Sequence, residues 1–526
     1  MTFSPTYYVP APSGFTAPPA AADLCIYGAN AAGVIAAVQA RRLGLTVVLL
    51  NPAQEIGGLT TGGLGFTDLG NQDAIGGLAR EFYRRVGRHY DREESWTFEP
   101  HVATRVLEAM LAEVQVSAEH GHYVASVRCE SDGDGLPRIR ELTTTSGRRV
   151  RAEYFIDCSY EGDLMAAARV TYHVGREGRA TYNEVHNGQQ IHASHQFATP
   201  IDPFVRPGDP SSGLLPGIDP DERFVPGSAD RRVQAYNFRV CLTQRPDIRV
   251  PFPPPADYRR ETYELLARVL AAGWSEVFQK FDRVPNGKTD TNNHGPVSTD
   301  FIGGSWEWPE ADYATRERIF QAHVRYQQGY HWFMANDPAV PARFREAYAQ
   351  WGLAGDEFAR TGNWPHQLYV REGRRLVGDV VMTAAHCLSR EKVDDVVGLG
   401  AYQMDSHHCR RLVHAGCVLN EGDVQVKLPK PYGISYRAIV PRRGECANLF
   451  VPVGASASHI AYGSLRMEPV FMVLAQSAAI AAALARSRGS AAVQAVPYAD
   501  LRRQLEAAGQ IVAWDPTHLN GLSGNP

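Results

Sequence analysis

The sequence has no C-x-x-C pair among its 8 cysteines. Cys25, Cys129, Cys158, Cys241, Cys387, Cys409, Cys417 and Cys446 are scattered, and Cys25 and Cys158 fall in apolar strand patterns. This argues against a disulfide framework and makes a cytoplasmic location the default expectation. No uninterrupted apolar run reaches the roughly 18 residues of a spanning helix, so no membrane is expected as a partner. No His/Cys/carboxylate set has zinc-ligand spacing, and no metal site is expected. There is no excess of basic charge: the net charge is −4, so no global field draws the chain to nucleic acid. No period of about 20 to 50 residues repeats, which removes solenoids and propellers. Residues 1–22 lack the basic and apolar regions of a secretory signal and read as a tail, on the surface or disordered.

What is present is an ordinary globular composition, 44% hydrophobic and 21% charged over 526 residues. That supports a large core and roughly two to four domains. One stretch organises the chain. Residues 23–27 form a short apolar strand, followed by Gly28-Ala29-Asn30-Ala31-Ala32-Gly33 and a helix rich in small residues that ends at Gly44. A β-branched strand then ends at Asn51. Strand, glycine turn, helix and strand are the unit that holds a dinucleotide pyrophosphate. The turn departs from G-x-G-x-x-G, since Asn30 stands at the second glycine. Asn51 stands where an acid usually holds the ribose hydroxyls; it is neutral but can still donate and accept. NADP is not indicated, and no second such turn follows a strand pattern.

Glycines then crowd 57–77, with Gly57-Gly58, Gly62-Gly63 and Gly76-Gly77. So many exclude a regular element and favour backbone lying against a planar ring over an ordinary loop. Residues 100–114 read as a helix and 116–150 as an inserted antiparallel sheet turning at 131–135. A further strand at 154–158 runs into Ser159, Gly162 and Asp163 and a helix start, which again brings backbone N–H groups toward a phosphate or adenine edge. From about 175 to 365 prolines cluster and aromatics are dense, with amphipathic helices at 257–274 and 311–334. Between these, Asn292 and Asn293 beside Trp306 and Trp308 suit either recognition of a hydroxylated ligand or a polar loop over core tryptophans. Met404-Asp405-Ser406-His407-His408 carries two imidazoles and reads as either a base site or paired surface histidines. A last strand leads through Gly454-Ala455-Ser456-Ala457-Ser458-His459 to Glu468-Pro469, which opens an apolar helix.

Together these stretches resemble the FAD-dependent oxidoreductases of the glutathione-reductase-like FAD-binding superfamily, and within it a xanthan-lyase-related group. The resemblance covers 23 to about 509. It rests on the turns at 27–33, 56–65 and 155–164, on Tyr369-Val370-Arg371-Glu372, on 404–407 and on 453–469. It implies an α/β fold: a Rossmann-like FAD-binding domain, with a parallel sheet and an inserted antiparallel sheet, plus a mixed α+β substrate domain. The divisions it implies are a tail at 1–22, a discontinuous FAD domain at 23–174 and 366–485, a substrate domain at 175–365, and a terminal helix and tail at 486–526. Gly28, Ala29, Asn30, Ala31 and Gly33 would hold the pyrophosphate, and Asn51 the adenosine ribose. Gly57, Gly58, Leu59, Thr60, Gly63 and Leu64 would lie along the ribityl chain and isoalloxazine, and Val124 against the adenine. Ser159, Gly162 and Asp163 would back the nucleotide, and Ala455, Ser458 and Met467 would face the ribityl and pyrimidine ends.

The implied activity is oxidation of a C–H bond beside a hydroxyl or amine of a small molecule, sugar-like or a secondary metabolite, by hydride transfer to the flavin. His407 is the first choice of base, then His459 and His294. Arg371 would bind an acidic or polyol group, or pair with Glu372 or Asp405. Oxygen or another small molecule would accept the electrons. A flavin monooxygenase and a non-catalytic nucleotide-binding protein are the rival readings.

Overall fold

The computed structural model describes residues 5–10, 18–489 and 491–515. Strand β1 spans Ala20–Tyr27 and lies parallel to β2, Val47–Asn51, on one side and to β6, Arg149–Asp157, on the other. Helix α1, Ala31–Arg42, joins β1 to β2. Its first ten residues are buried, and five of these are alanine, so the helix lies close on the sheet. Gly44, at φ 82°, ends it as a left-handed glycine does. Helices α2, Gly77–Arg88, and α3, Pro100–Glu113, lead to β3, Ala118–His120, which adds parallel to β2.

The inserted sheet consists of β4, Val124–Ser131, and β5, Pro137–Thr144, running antiparallel. β6 bridges the two halves. Its start pairs antiparallel with β5, and its end pairs parallel with Leu449–Phe450. A strand that began at 23 was expected; the register with β6 already starts at Ala20. The apolar helix Glu468–Ser487 packs across α1, and Gln476 donates to Gln39 at 2.8 Å. By length and composition it could cross a membrane, but it is a core helix, with its side chains buried from Glu468 to Ala482.

The segment from 175 to 365 builds a second, five-stranded antiparallel sheet in the order 281–284, 288–291, 240–243, 352–354, 249–250. The long helix Tyr313–Asn336 packs beside it, and the first amphipathic stretch forms a shorter helix, Glu264–Ala271. All 8 cysteines are free thiols.

Of the segment read as a tail on the surface or disordered, residues 5–10 lie against the surface of the protein. The backbone N–H groups of Tyr7 and Tyr8 both donate to Glu317 Oε2 at 2.7 Å. The Tyr7 ring lies edge-on to Trp308 with centroids 4.7 Å apart, and Tyr8 stacks on Tyr313. The expected terminal helix is present as Tyr498–Ala507. The tail at 516–526 lies outside the described residues.

Candidate active site

Two cavities border the segment Gln367-Leu368-Tyr369, the first at Gln367 and the second at Tyr369. The first is lined by Gly28, Asn30, Asn51, Gly58, Ser159 and Tyr160, with Gln367 at its edge. It opens on the start of α1. Gly28 has φ 96°, and a Cβ there would meet the backbone of Cys158 and Ser159 at 2.9 Å. Asn30 does what its substitution for glycine permits: its Oδ1 accepts from Gly33 N–H at 3.0 Å and caps α1. Its Nδ2 donates to Cys158 O at 2.5 Å, tying the turn to the end of β6. Asn51 accepts from Ala29 N–H at 3.2 Å and donates to Glu55 O at 2.9 Å, so here it braces the turn. The turn thus places the N-terminus of α1, its dipole favourable to a phosphate, at the cavity, although the N–H groups of Gly28, Ala29 and Gly33 are themselves bonded within the protein.

The glycine-rich run packs tightly against the protein, with Gly58 at the cavity wall. A Cβ at Gly57 would strike Thr61, one at Gly62 would strike Gln367, and one at Gly63 would overlap the carbonyl oxygen of Arg239. These glycines therefore admit protein neighbours. Leu59 N–H donates to the Tyr160 hydroxyl at 2.9 Å, and Thr60 donates to Glu468 Oε2 at 2.7 Å. Leu64 is buried in the core. Tyr123 rather than Val124 reaches the cavity; Val124 is buried, its N–H bonded to the Tyr27 hydroxyl. Asp163, after the left-handed Gly162, is turned to Arg316 and Arg374, both at 2.8 Å. Ala455 is buried, and Ser458 caps the helix His459–Leu465 while donating to Glu184 at 2.7 Å.

The second cavity, about 200 Å³, is polar. Met467, which precedes the helix Glu468–Ser487, lines it together with Asn292, Asn293, Tyr369 and His407. His407 follows the strand Met404–Ser406, which the helix His459–Leu465 approaches closely at Gly463. Asp300 Oδ2 lies 2.7 Å from His407 Nδ1, and Asp405 Oδ2 lies 3.5 Å from Nε2. Burial and the Arg371 charge pull the His407 pKa down, but the two carboxylates outweigh them and hold it above the usual imidazole value. Asp300 is itself held at about 2: burial opposes ionisation, but Arg371, 3.0 Å away, and His407 favour it more.

Arginines crowd this cavity. Arg466 donates to Asp405 and to the Tyr369 hydroxyl, both at 2.9 Å. Arg239 grips Asp290 with two bonds of 2.7 and 2.8 Å. The guanidinium carbons of Arg371, Arg466 and Arg239 lie 4.6, 5.7 and 5.9 Å from the Tyr369 ring centre. Asp423 also lines the cavity; burial and the Asp405 charge raise its carboxyl to about 7.

The other expected site residues are placed elsewhere. His459 is buried, with Nδ1 2.7 Å from Glu372 and Nε2 3.1 Å from Ser406 Oγ, and does not line either cavity. His294 bonds Glu276 at 2.7 Å and faces outward. Arg371 lies behind His407, bonded to Asn237 and paired with Asp300. Trp306 is structural: its indole N–H donates to Cys409 O at 2.8 Å, and Arg232 covers its ring at 4.9 Å. Glu99, His101 and Glu357 bring ligand atoms within 4.8 Å of one another. The cation there is the Lys288 ammonium, 2.7 Å from both glutamates.

Sequence reasoning missed Arg239, Asp300, Asp423 and His195. Only the i, i+2 spacing of Asp405 and His407, which puts both on one side of an extended chain, was available as a signal.

Residues 23–505 match the profile of a family described as FAD dependent oxidoreductase. The chain belongs to this family. FAD is therefore its cofactor, and it is an oxidoreductase. The chain is similar to Thermovibrio ammonificans THI4, 18% identical over 30% of this chain and 66% of that one, with a TM-score of 0.23. It is also similar to the 3-ketosteroid-delta4-(5alpha)-dehydrogenase of Rhodococcus jostii RHA1, 18% identical over 34% and 54% of the two chains, with a TM-score of 0.21. A third similar structure is the cyclohexanone monooxygenase of Rhodococcus sp. Phi1, 20% identical over 27% and 26%, with a TM-score of 0.19. The chain thus spans two thirds or less of the length of these structures. No curated protein matches it.

Proposed function

We propose that this FAD-dependent oxidoreductase dehydrogenates a C–H bond beside a hydroxyl or amine of a small, polyhydroxylated, sugar-like molecule held in the polar cavity. FAD, when bound, supplies the hydride acceptor. The observation that carries this reading is His407, which stands in that cavity with a carboxylate on its far nitrogen. Asp300 accepts from Nδ1–H and fixes the tautomer; in the neutral ring Nε2, with Asp405 Oδ2 3.5 Å away, is the nitrogen that takes the proton of the substrate hydroxyl. The C–H bond breaks as a hydride, the O–H proton goes to His407, and the carbon becomes a carbonyl. Asn292, Asn293 and Asp423 line the same space and offer hydrogen bonds to the remaining hydroxyls. In this reading the electrons pass on to oxygen or another small acceptor, since no second dinucleotide turn follows a strand pattern.

The test is anaerobic bleaching of the 450 nm flavin band by a panel of sugars and polyols. A polyol that bleaches it in wild type, and far more slowly in His407→Asn, supports the reading. No bleaching across the panel, or an equal rate in the variant, overturns it.

A further inference from the structure

The polar cavity beside His407, the inner one of a pair, has a neighbour. A second hollow of about 390 Å³ is lined by Gln196, Phe197, Trp274, Glu276 and His294, on three loops of the 175–365 segment. One residue, His195, borders both hollows. By itself the inner cavity, at about 200 Å³, falls below the roughly 300–1,000 Å³ usual for ligand pockets, while the outer hollow falls within it.

The boundary is built, not incidental. His195 has a left-handed backbone, φ 51°, a strained conformation for a residue with a side chain. Gly295 N–H donates to His195 Nδ1 at 3.1 Å, and Asn420 Nδ2 donates to the His195 carbonyl at 3.2 Å. Arg411, buried beneath, bonds Asn420 and the Pro296 carbonyl, both at 2.9 Å. Burial and the charges of His407 and His294 lower the His195 pKa to about 4, so the ring is neutral. With Nδ1 accepting, its proton sits on Nε2.

The two hollows differ in chemistry. The inner one is charged and lies beside His407. The outer one is aromatic with polar edges: Trp274 packs on Gly295, and His294 lies 6.5 Å from it at an interplanar angle of 30°. His294 in turn stands edge-on to His195 at 5.1 Å. Aromatic faces with hydroxyl and carboxylate groups at their rim bind rings by stacking.

We propose that the substrate is a glycoside spanning both hollows, with its reacting sugar ring inside and a second ring stacked outside on Trp274, past His195. This rests on the reading of the inner cavity as a polyol site. The second ring is an aryl group or another sugar, and the two sources share the stacking chemistry.

The experiment is saturation-transfer NMR on the FAD-loaded protein with p-nitrophenyl β-D-glucopyranoside, cellobiose and glucose. The variants are Trp274→Ala, which removes the platform, and Ala272→Trp, which fills the hollow from an exposed position without deleting any packing. Unchanged flavin absorbance and circular dichroism establish that both are folded. The expected result is saturation of the aryl or second-ring protons in wild type, reduced at least fivefold in both variants, with the glucose signal unaltered. Response to the nitrophenyl probe alone assigns an aryl group; response to cellobiose as well assigns a sugar. Absence of second-ring saturation in wild type, or its persistence in both variants, overturns the proposal. Failure of sugars to bleach the flavin while second-ring saturation still depends on Trp274 would overturn the reaction reading and leave the outer site standing.

Discussion

His407 Nδ1 and Asp300 Oδ2 are 2.7 Å apart, although 107 residues separate them in the chain. The pair ties the residue after the strand Met404–Ser406 to the 175–365 segment at the polar cavity. Its first consequence is kinetic. Replacing His407 with Asn should slow flavin reduction roughly 10²- to 10⁴-fold, the usual worth of a positioned base. The rate should rise with pH in wild type, because the base form appears only above a pKa that lies higher than the usual imidazole value. In the variant that rise should vanish. Stopped-flow reduction between about pH 5.5 and 9 reads both effects; a profile equally steep in the variant assigns the titration to another group.

The second consequence is structural. Asp300 is the only carboxylate that pairs with Arg371 among the described residues, and Arg371 Nε has no hydrogen-bond partner there. Asp300→Asn would leave a buried guanidinium without its counter-charge, at a cost of about 3–5 kcal/mol. Urea denaturation should show it. Arg371→Met with Asp300→Asn together should recover part of the loss, because the uncompensated charge is gone. A double variant no better than Asp300→Asn would mean that packing, not charge, dominates.

The Gly63 position makes a sharper steric statement. Its φ is 120°, and a Cβ there would overlap the Arg239 carbonyl oxygen. Gly63→Ala should destabilise the protein by more than 1 kcal/mol and shift Arg239, which lines the polar cavity. By contrast Gly133→Ala, on an open turn with nothing near its Cβ, should be close to neutral. Thermal melts of the two variants side by side test the difference.

Parts of this arrangement were legible in the sequence, and the divide follows sequence distance. β1, α1 and β2 are a local unit, so the apolar runs and the turn reveal them directly. Asp405 and His407 show as a spaced pair for the same reason. Asp300 and Arg239 do not, because they come from distant turns of the chain, Arg239 just before the strand 240–243 and Asp300 in a bend, and nothing local marks them. His459 stood next to His407 as a candidate base; its full burial and its absence from the cavity lining separate them. The glycines near 57–65 show a limit of composition: it reports a lack of side chains but not which neighbours come close, here Thr61, Gln367 and Arg239.

The N-terminal segment is a further case that only tertiary packing shows. Thr6 and Tyr7 line the nucleotide-facing cavity, and Tyr7 is held by Glu317 and Trp308. Tyr7→Ala should weaken FAD retention about tenfold, roughly 1.4 kcal/mol. Flavin fluorescence released on dilution measures this. Retention equal to wild type would reduce the segment to a surface cover.

Glu468 yields a prediction with a definite sign. It is buried at the start of the helix Glu468–Ser487, and its two oxygens accept from Thr60 at 2.7 Å and Tyr160 at 2.8 Å. Burial raises its pKa, the two hydroxyls lower it, and the balance is about 7 against the usual 4.5. The folded protein therefore holds a proton that the unfolded chain releases above pH 4.5. The stabilisation is full below the unfolded value and is lost progressively as pH rises through the folded one. Between the two values this is worth about 3 kcal/mol. Glu468→Gln carries no charge in either state and keeps its bonds to hydroxyls that can turn to suit it. Its stability relative to wild type should thus rise by up to that amount from about pH 4.5 to pH 8. Urea midpoints at the two pH values decide it, and a difference that does not change with pH would place the proton on another group.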